Sequence, residues 1–316
     1  MTIPALADVE TARRVIAPYL RPTPLIAHAG LRELLGTDVH VKHENHLPTG
    51  AFKVRGGVNL VAQTERDELD RGLIAASTGN HGQSVAYAGK LLGARVIVCV
   101  PVNANPAKVH SIRALGAEIV ERGRDFDDAR EHCETLAAEH GYRYVHSGNE
   151  PLLIAGVGTH TLEVLEEQPD VGVLIVPIGG GSGAAGTSIV AKATRPECEV
   201  IGVQSASAPA AFKSWQTRSI REDRMGTAAE GLATRVGFEL PQKILWKHLD
   251  DFVLVGEDEI FEATRLMIEH TRNLVEGAAA APLAAALRLR DRLAGKRVVL
   301  ICSGGNVTIA QLRALL

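Results

Sequence analysis

Short apolar runs rich in β-branched residues alternate along this sequence with longer segments of helical period. Runs such as VLIVP at 173–177 and RVVLICS at 297–303 are almost continuously apolar, which is typical of parallel strands covered on both faces. The alternation predicts an α/β fold, doubly wound, with mostly parallel open sheets flanked by helices. We predict strands near residues 38–42, 73–76, 95–100, 118–120, 143–146, 173–177, 199–203, 252–255 and 297–302.

The size of the chain allows one large domain or two lobes. Its 316 residues are 46% hydrophobic, which supports a substantial core. The sequence contains no fixed-period repeat and no long polar linker, so we expect any second lobe to be inserted within the first. After Asp125, apolar residues recur every three or four positions and predict one buried helical stripe; they are Phe126, Ala129, Cys133, Leu136 and Ala137.

Charge, apolar run length and cysteine spacing exclude several classes of protein. The formal net charge is −3 without a basic block, so we expect a small-molecule partner and no nucleic acid. Residues 1–20 lack the features of a signal peptide and other apolar runs are strand-sized, so we expect no membrane span and a cytoplasmic location. The cysteines lack a CxxC pair, which favours buried reduced thiols over disulfides or structural zinc; they are Cys99, Cys133, Cys198 and Cys302.

The stretch PTGAFKVRGG at 48–57 contains one lysine, with glycine residues on both sides of it. PTG predicts a turn with Thr49 as helix N-cap, which puts Lys53 in the first helical turn, where the helix dipole disfavours an ammonium. A lysine with a lowered pKa is a covalent catalyst toward carbonyl groups. Gly56 and Gly57 predict close approach by another group. The alternative is an ordinary surface lysine.

Residues 76–84, ASTGNHGQS, lie between a predicted strand and a helix beginning near Gly82. Ser, Thr, Gly and Asn at a helix N-terminus present hydroxyl, amide and free N–H groups, which suit a carboxylate or a phosphate. In an open α/β sheet, this turn would lie where ligands bind, outside the carboxyl end of a strand. The alternative is a capped turn in which His81 is a satisfied polar group.

Residues 175–188, IVPIGGGSGAAGTS, predict a strand, a glycine-rich turn and a helix. Backbone without side chains lets a phosphate reach several N–H groups and the helix dipole, so we interpret this stretch as a phosphate cradle. GK[ST] is absent, which excludes a P-loop. Gly181, Gly183 and Gly186 fit the dinucleotide pattern, but the next strand ends at Gln204 where an acidic ribose contact is needed, so NAD stays an alternative.

A fourth glycine-marked strand end, ICSGGNVT at 301–308, would bring Ser303 and Asn306 to the rim of the sheet. A plain type II turn is the alternative here. Four such stretches would converge on one sheet edge. Because one carries a phosphate cradle and another a lysine, the pattern indicates a phosphorylated aldehyde as cofactor.

These motifs resemble those of the fold type II pyridoxal-phosphate enzymes (tryptophan synthase β-like), specifically the serine/threonine dehydratase (threonine ammonia-lyase) and serine racemase group. The resemblance runs from RPTPL at 21–25 to SGGN at 303–306. By similarity, Lys53 corresponds to the lysine that forms the Schiff base with pyridoxal 5'-phosphate, and Phe52 to the neighbour that packs near the ring. Asn80 corresponds to the asparagine at the cofactor's phenolic oxygen, and Ser303 to the serine facing the pyridine nitrogen.

The resemblance also assigns two loops and a domain organisation. The loop that receives the substrate carboxylate corresponds to Ser77, Thr78, Gly79, Asn80 and His81, and the phosphate loop to Gly179, Gly180, Gly181, Ser182 and Gly183. The family implies a homodimer with a large cofactor domain of residues 1–53 and 147–316 and an inserted small domain of residues 54–146. Because the sequence ends ten residues after Asn306, we expect no C-terminal regulatory domain.

The implied reaction is β-elimination of water from a hydroxy amino acid, by default L-threonine or L-serine, to give a 2-oxo acid and ammonia. Lys53 would be the general base at Cα, and the cofactor phosphate would donate the proton to the leaving β-hydroxyl. A serine at the ring nitrogen favours elimination over transamination. Alternatives are phenylserine or 3-hydroxyaspartate as substrate, or serine racemisation with Thr78 as second proton donor. An NAD-dependent oxidoreductase and a non-catalytic pyridoxal-phosphate protein are alternatives from other classes.

Several positions depart from the family's pattern. Ala51 stands where a serine is usual, with no effect that we can assign. Ser182 replaces a glycine of the phosphate loop and predicts an added hydroxyl donor to the phosphate. In VQSASAPA at 203–210, Gln204 and Ala210 stand where metal-activated members carry carboxylates, which makes a poor site for Mg²⁺ or Ca²⁺. We therefore expect no divalent metal and no rise in activity with Mg²⁺.

Overall fold

A computed structural model of the chain describes residues 2–315, and this range contains ten strands, fifteen α-helices and two short 3₁₀ helices. The strands are β1 Leu25–Ile26, β2 Asp38–His43, β3 Leu73–Ala76, β4 Val96–Val100, β5 Glu118–Glu121, β6 Arg143–Tyr144, β7 Val173–Pro177, β8 Glu199–Ser205, β9 Asp251–Val255 and β10 Arg297–Cys302. The helices are α1 Leu6–Ile16, α2 Ala29–Leu35, α3 Lys53–Gln63, α4 Arg66–Arg71, α5 Asn80–Leu92, α6 Pro106–Ala114, α7 Phe126–His140, α8 Pro151–Glu167, α9 Ser182–Thr194, α10 Ala210–Thr217, α11 Glu239–His248, α12 Glu257–Thr271, α13 Gly277–Arg288, α14 Arg290–Leu293 and α15 Ile309–Ala314.

The strands form two sheets. The larger has the order β1-β2-β10-β7-β8-β9, and its pairs are parallel except for β1 with β2 at one edge. The smaller has the order β5-β4-β3-β6 and is parallel throughout. Two mostly parallel sheets flanked by helices confirm the predicted fold class. The strands of the smaller sheet all come from residues 73–144; the domain boundaries themselves stay a prediction.

The central strands of both sheets are buried on both faces. In β7, Val173 and Ile175 pack into one apolar cluster, whereas Leu174 and Val176 pack into another. Since successive side chains of a strand point to opposite faces, the two clusters lie on opposite sides of the sheet. This arrangement explains the continuously apolar runs in the sequence, because a strand with two buried faces has no polar side.

The structure differs from the sequence prediction at two elements. Strand β1 was not predicted, because two residues are too few to show a period. In α7, Ala129 and Cys133 are buried as expected, but Phe126 is 38% exposed. Phe126 is the first residue of that helix and borders a cavity, so it lies outside the buried stripe.

Two glycines of α3 allow helices to pack closely. A Cβ on Gly56 would lie 2.8 Å from the carbonyl oxygen of Leu153 in α8, and a Cβ on Gly57 would lie 2.7 Å from the carbonyl oxygen of Ser84 in α5. Both distances are shorter than side-chain carbons tolerate. The close approach predicted at these glycines is therefore made by neighbouring helices.

Three further expectations concern membrane spans, cysteines and a divalent metal. No helix within residues 2–315 is long and apolar enough to cross a bilayer. The four cysteines are buried and free of disulfides, as predicted.

The side chain of Gln204 donates to the carbonyl oxygen of Leu232 at 3.4 Å and accepts from the N–H of Phe212 at 3.0 Å. Its amide is thus engaged by the protein, while insensitivity to Mg²⁺ stays a prediction.

Candidate active site

Strands of both sheets end at one cavity of about 870 Å³, a size typical of small-molecule sites. The segments that follow β3 and β6 of the smaller sheet and β7 and β10 of the larger sheet form its walls. Every residue assigned by the sequence motifs lines this cavity: Phe52, Lys53, Ser77, Thr78, Gly79, Asn80, His81, Gly179, Gly180, Gly181, Ser182, Gly183 and Ser303. Four stretches distant in sequence therefore meet at one cavity. They do not meet at one sheet edge as predicted, because residues 76–84 follow β3 of the smaller sheet, whereas residues 175–188 and 301–308 follow β7 and β10 of the larger sheet.

Lys53 is the first residue of α3, and its amine borders the cavity. Nζ donates to the carbonyl oxygen of Ser147 at 2.9 Å and to Oγ of Ser182 at 2.8 Å. Burial lowers the pKa of Lys53 to about 8. An appreciable fraction of the amine is therefore uncharged near neutral pH, as a nucleophile or general base requires. The surface-lysine interpretation is wrong.

The start of α3 is held against the end of β10. The N–H of Phe52 donates to the carbonyl oxygen of Ser303 at 2.9 Å, and Ala51 forms an antiparallel bridge with Gly304. This bridge keeps the chain non-helical up to residue 51, so Phe52 is the N-cap and the prediction of Thr49 as N-cap is wrong. The pairing fixes where Lys53 enters the cavity.

Ser303 and the glycines after it do not form the alternative type II turn. That turn needs a residue with positive φ, and neither Gly304 nor Gly305 has one. Ser303 is 4% exposed and lines the cavity. Its hydroxyl makes no hydrogen bond to any residue of 2–315 and remains available to a ligand.

A buried network of charges anchors α3 two residues beyond the lysine. Arg55 Nε lies 2.6 Å from Oε2 of Glu44, and Arg55 Nη1 lies 2.6 Å from Oε1 of Glu163. Lys42 Nζ lies 2.6 Å from Glu163 Oε2, and the Thr23 hydroxyl donates to Glu44 at 2.6 Å. Because two cations face two anions, the charges balance. The network joins α3 to β2 and α8.

The glycine-rich turn after β7 forms a cradle without side chains. Gly181 has φ 88° and is the N-cap of α9. A Cβ on Gly180 would overlap the ring of Phe238, and one on Gly179 would overlap the backbone of Gly231. The first backbone bond of α9 runs from the N–H of Ala185 to the carbonyl of Gly181, which leaves the preceding N–H groups free. This is the geometry of an anion site.

The side chain of Asn80 is held by two polar neighbours. Its Nδ2 donates to Oε1 of Glu276 at 2.8 Å, and its Oδ1 accepts from Nδ2 of Asn306 at 2.7 Å. Burial raises the pKa of Glu276. The amide is thus fixed in orientation at the cavity wall.

The ring of His81 is bound to the protein. Nε2 lies 2.9 Å from the carbonyl oxygen of Val145 and so carries the proton that it donates, while Nδ1 has no partner within residues 2–315. Burial, together with the charge of Lys53, lowers the pKa of His81 to about 3. A neutral ring with this tautomer has no free N–H to donate to a carboxylate, so His81 can bind an anion only through its backbone N–H.

Sequence reasoning missed several residues of the cavity wall. They are Arg130, Tyr144, His146, Asn149, Phe238 and Glu276. None of them stands in one of the four glycine-marked stretches. One sequence signal does point to this wall: Phe126, the first residue of the predicted apolar stripe, lines the same cavity.

The structure allows a test of whether these residues fit a phosphorylated aldehyde. The amine of Lys53 contacts Ser182, which begins the helix behind the glycine cradle. A reactive amine, an anion cradle and a free Ser303 hydroxyl thus border one cavity, and they match an aldehyde, a phosphate and a ring nitrogen. Fold and site together indicate a two-sheet α/β enzyme whose cavity fits a phosphorylated carbonyl cofactor.

Comparison with known proteins gives the family. The pattern of the pyridoxal-phosphate dependent enzymes matches residues 16–304. An L-threonine ammonia-lyase of Geobacter sulfurreducens is 40% identical over 304 residues, covering 96% of this chain and 74% of that protein. A solved threonine deaminase of T.th. is 36% identical with a TM-score of 0.92, covering 97% of this chain and 99% of that one. The serine racemase of Dictyostelium discoideum is 32% identical with a TM-score of 0.91, and it too covers 97% of this chain and 99% of its own.

The chain belongs to the pyridoxal-phosphate dependent enzyme family, and its cofactor is pyridoxal 5'-phosphate. This membership decides against NAD as the ligand of the glycine-rich turn.

Replacing Ser182 with alanine is expected to lower the pKa of Lys53 in the cofactor-free protein. The hydroxyl accepts a hydrogen bond from Nζ and so favours the ammonium form; its loss should move the titration to lower pH by about one unit. The pH dependence of Lys53 acylation, read by mass spectrometry, measures this change. Ser188→Ala on the same helix is the control, since the Ser188 hydroxyl has no partner within residues 2–315. Equal titration of both variants would contradict the assignment.

Proposed function

We propose that this protein removes water from L-threonine or L-serine by β-elimination and releases a 2-oxo acid and ammonia. The observation that carries the proposal is the amine of Lys53, with its pKa lowered to about 8, between the glycine cradle and the start of α5. The names of the similar proteins support it, because they include an L-threonine ammonia-lyase and a threonine deaminase.

We assign the cofactor to residues along three walls. The free N–H groups of Gly179 to Gly183 would hold the phosphate, Lys53 would bond to the aldehyde carbon, and Phe52 would pack near the ring. Ser303 would donate to or accept from the ring nitrogen, and Asn80 would contact the phenolic oxygen. When bound, pyridoxal 5'-phosphate delocalises the electron pair left at Cα of an amino acid after its proton is removed.

The start of α5 is the proposed site for the substrate carboxylate. The first backbone bond of this helix runs from the N–H of Gln83 to the carbonyl of Gly79, so the N–H groups at Asn80, His81 and Gly82 are free to bind an anion. The Ser77 and Thr78 side chains lie in the same loop. A carboxylate held there would place Cα beside Lys53, whose free amine would remove the Cα proton.

Serine racemisation is a second candidate function. The Thr78 side chain lines the cavity, and its hydroxyl makes no hydrogen bond to any residue of 2–315. A hydroxyl able to deliver a proton to the opposite face of Cα is the feature that racemisation adds, and the solved serine racemase similar to this chain supports it. Formation of D-serine from L-serine, which Thr78→Ala would abolish, distinguishes this activity from elimination.

The test of the proposed function is release of a 2-oxo acid by the holoenzyme. L-threonine and L-serine should give 2-oxo acid and ammonia in equal amounts, whereas L-alanine, which lacks a leaving group, should give none. DL-phenylserine and 3-hydroxyaspartate belong in the same assay, because they are the alternative substrates. A holoenzyme that releases no 2-oxo acid from any of them would overturn the proposal and favour a non-catalytic role.

We also propose the assembly and organisation that the family resemblance implies. The protein would act as a homodimer in the cytoplasm, with a large domain of residues 1–53 and 147–316 and a small domain of residues 54–146. Light scattering on the purified holoenzyme measures the first point. A molar mass near that of one 33.7 kDa chain would contradict the dimer.

A further inference from the structure

His146 follows β6 and lines the cavity next to the reactive lysine. The carbonyl oxygen of the next residue, Ser147, accepts the hydrogen bond from Lys53 Nζ at 2.9 Å. His146 Nδ1 accepts from the N–H of Gly148 at 3.1 Å and from the N–H of Asn149 at 2.9 Å. Since an atom that accepts two N–H donors carries no proton, the proton of the neutral ring is on Nε2.

The ring of His146 is also fixed in orientation and charge. It lies edge-on to Phe238, with ring centroids 4.9 Å apart, and edge-on to Tyr144, with centroids 6.2 Å apart. Burial, with the charge of Lys53, lowers the pKa of His146 to about 4. The ring therefore stays neutral at physiological pH. Because Nδ1 is turned to its own loop, Nε2–H is the polar group left for the cavity, and it has no acceptor within residues 2–315.

Several other groups of the site already have proposed tasks. An amino acid substrate offers a carboxylate, a Cα proton and a β-substituent. The start of α5 would bind the carboxylate, and Lys53 would take the Cα proton. The glycine cradle would bind the phosphate of the cofactor, and Ser303 would contact its ring nitrogen. The ring of His81 presents an acceptor and no proton. His146 offers the β-substituent a neutral side-chain donor, in a segment that contacts Lys53 through the carbonyl of Ser147.

We propose that Nε2–H of His146 binds the β-hydroxyl oxygen of the substrate. This inference rests on the proposed function. As the Cβ–O bond breaks, the oxygen takes the electron pair, and a fixed donor stabilises the charge that develops there. The β-hydroxyl that leaves Cβ and the Cα proton that Lys53 takes together make up the water released. A neutral imidazole keeps its own proton, so His146 orients and polarises the leaving group.

Two substitutions of His146 test the roles of its two ring nitrogen atoms separately. In His146→Asn the amide oxygen can replace Nδ1 as acceptor for the loop, but nothing replaces Nε2–H. In His146→Gln the amide reaches the position of Nε2 and can donate. We expect His146→Asn to lower kcat with L-serine by about 10²-fold, and His146→Gln to recover a large part of that loss.

The leaving group is the decisive variable in the test. Chloride leaves without needing a hydrogen-bond donor, so the rate of His146→Asn with β-chloro-L-alanine should fall far less than its rate with L-serine. Exchange of the Cα proton of L-alanine in D₂O reports Lys53 alone and should persist. Equal losses with serine and chloroalanine, or no loss with either, would overturn the inference.

A measurement independent of turnover checks the tautomer. In holoenzyme labelled with ¹⁵N-histidine, NMR should show His146 protonated at Nε2 and unprotonated at Nδ1 at neutral pH; a doubly protonated ring would contradict the assignment. Failure of the proposed function has a different signature: wild-type holoenzyme would release no 2-oxo acid from serine, although it eliminates chloride.

Discussion

Replacing Lys53 with alanine is expected to lower 2-oxo acid release from L-threonine by more than about 10⁴-fold, the upper end of what a single general base contributes. The expected loss is this large because the same amine would both bond to the cofactor and remove the Cα proton. It is the cavity amine held by Ser147 and Ser182, and its pKa is lowered to about 8. Steady-state release of 2-oxo acid with excess cofactor measures the change.

Covalent labelling gives the control for this variant. Borohydride treatment of wild-type holoenzyme, followed by peptide mass spectrometry, should add the mass of the reduced cofactor to the peptide that contains Lys53. Lys90→Ala removes an exposed lysine of α5 and should keep both the label and the activity. A Lys53→Ala protein that retains turnover, or a label found on another lysine, would show that the reactive amine lies elsewhere.

Replacing Arg55 with methionine is expected to lower the free energy of unfolding by about 3–5 kcal/mol. Arg55 is 1% exposed and Glu44 is fully buried. Without the guanidinium, Glu44 would keep only the hydroxyl of Thr23 as a partner, and Glu163 would keep Lys42. A buried carboxylate without a counter-charge is far less stable than the same group in water. Denaturant unfolding of the cofactor-free protein measures the effect.

Arg95→Met is the matched control for this prediction. Arg95 also makes a two-pronged ion pair, with Glu118, but the two side chains are 49% and 55% exposed. Its loss should cost less than about 1 kcal/mol, as for other exposed pairs. Adding Glu44→Gln to Arg55→Met should recover part of the stability, since it removes the uncompensated charge. Equal destabilisation by the two methionine variants would show that burial does not increase the contribution of the network to the free energy of unfolding.

The same network gives stability a defined pH dependence. Burial alone would raise the pKa of Glu44, but the charge and hydrogen bonds of Arg55 outweigh it and lower the pKa to about 2, from an ordinary value of 4.5. A carboxyl whose pKa is lower in the folded state stabilises the fold above its unfolded pKa. That contribution is lost as the pH falls from about 4.5 toward 2. In Arg55→Met this acid-sensitive part of the stability should disappear.

Much of the site could be predicted because glycine and lysine carry their signals locally. The cradle at 179–183 is visible in sequence, since backbone close to an anion must lack side chains. Thr49 shows the limit of such reasoning. It has the chemistry of an N-cap, yet a bridge between Ala51 and Gly304 delays the helix to Lys53. A partner more than 250 residues away therefore outweighed a local preference.

The sequence by itself determined the α/β class, the mostly parallel strands and the glycine-marked turns that follow them, whereas the division into two sheets came from the tertiary structure. The class, the strands and the turns follow from apolar period and from backbone geometry, which are properties of neighbouring residues. Only the tertiary structure decided what each polar atom contacts. Ser182 lies 129 residues from Lys53 and Glu163 lies 108 residues from Arg55, and the proton of His146 is placed by the backbone of its folded loop. Burial and hydrogen bonds between distant segments set the charges and tautomers of the site, and no local pattern contains them.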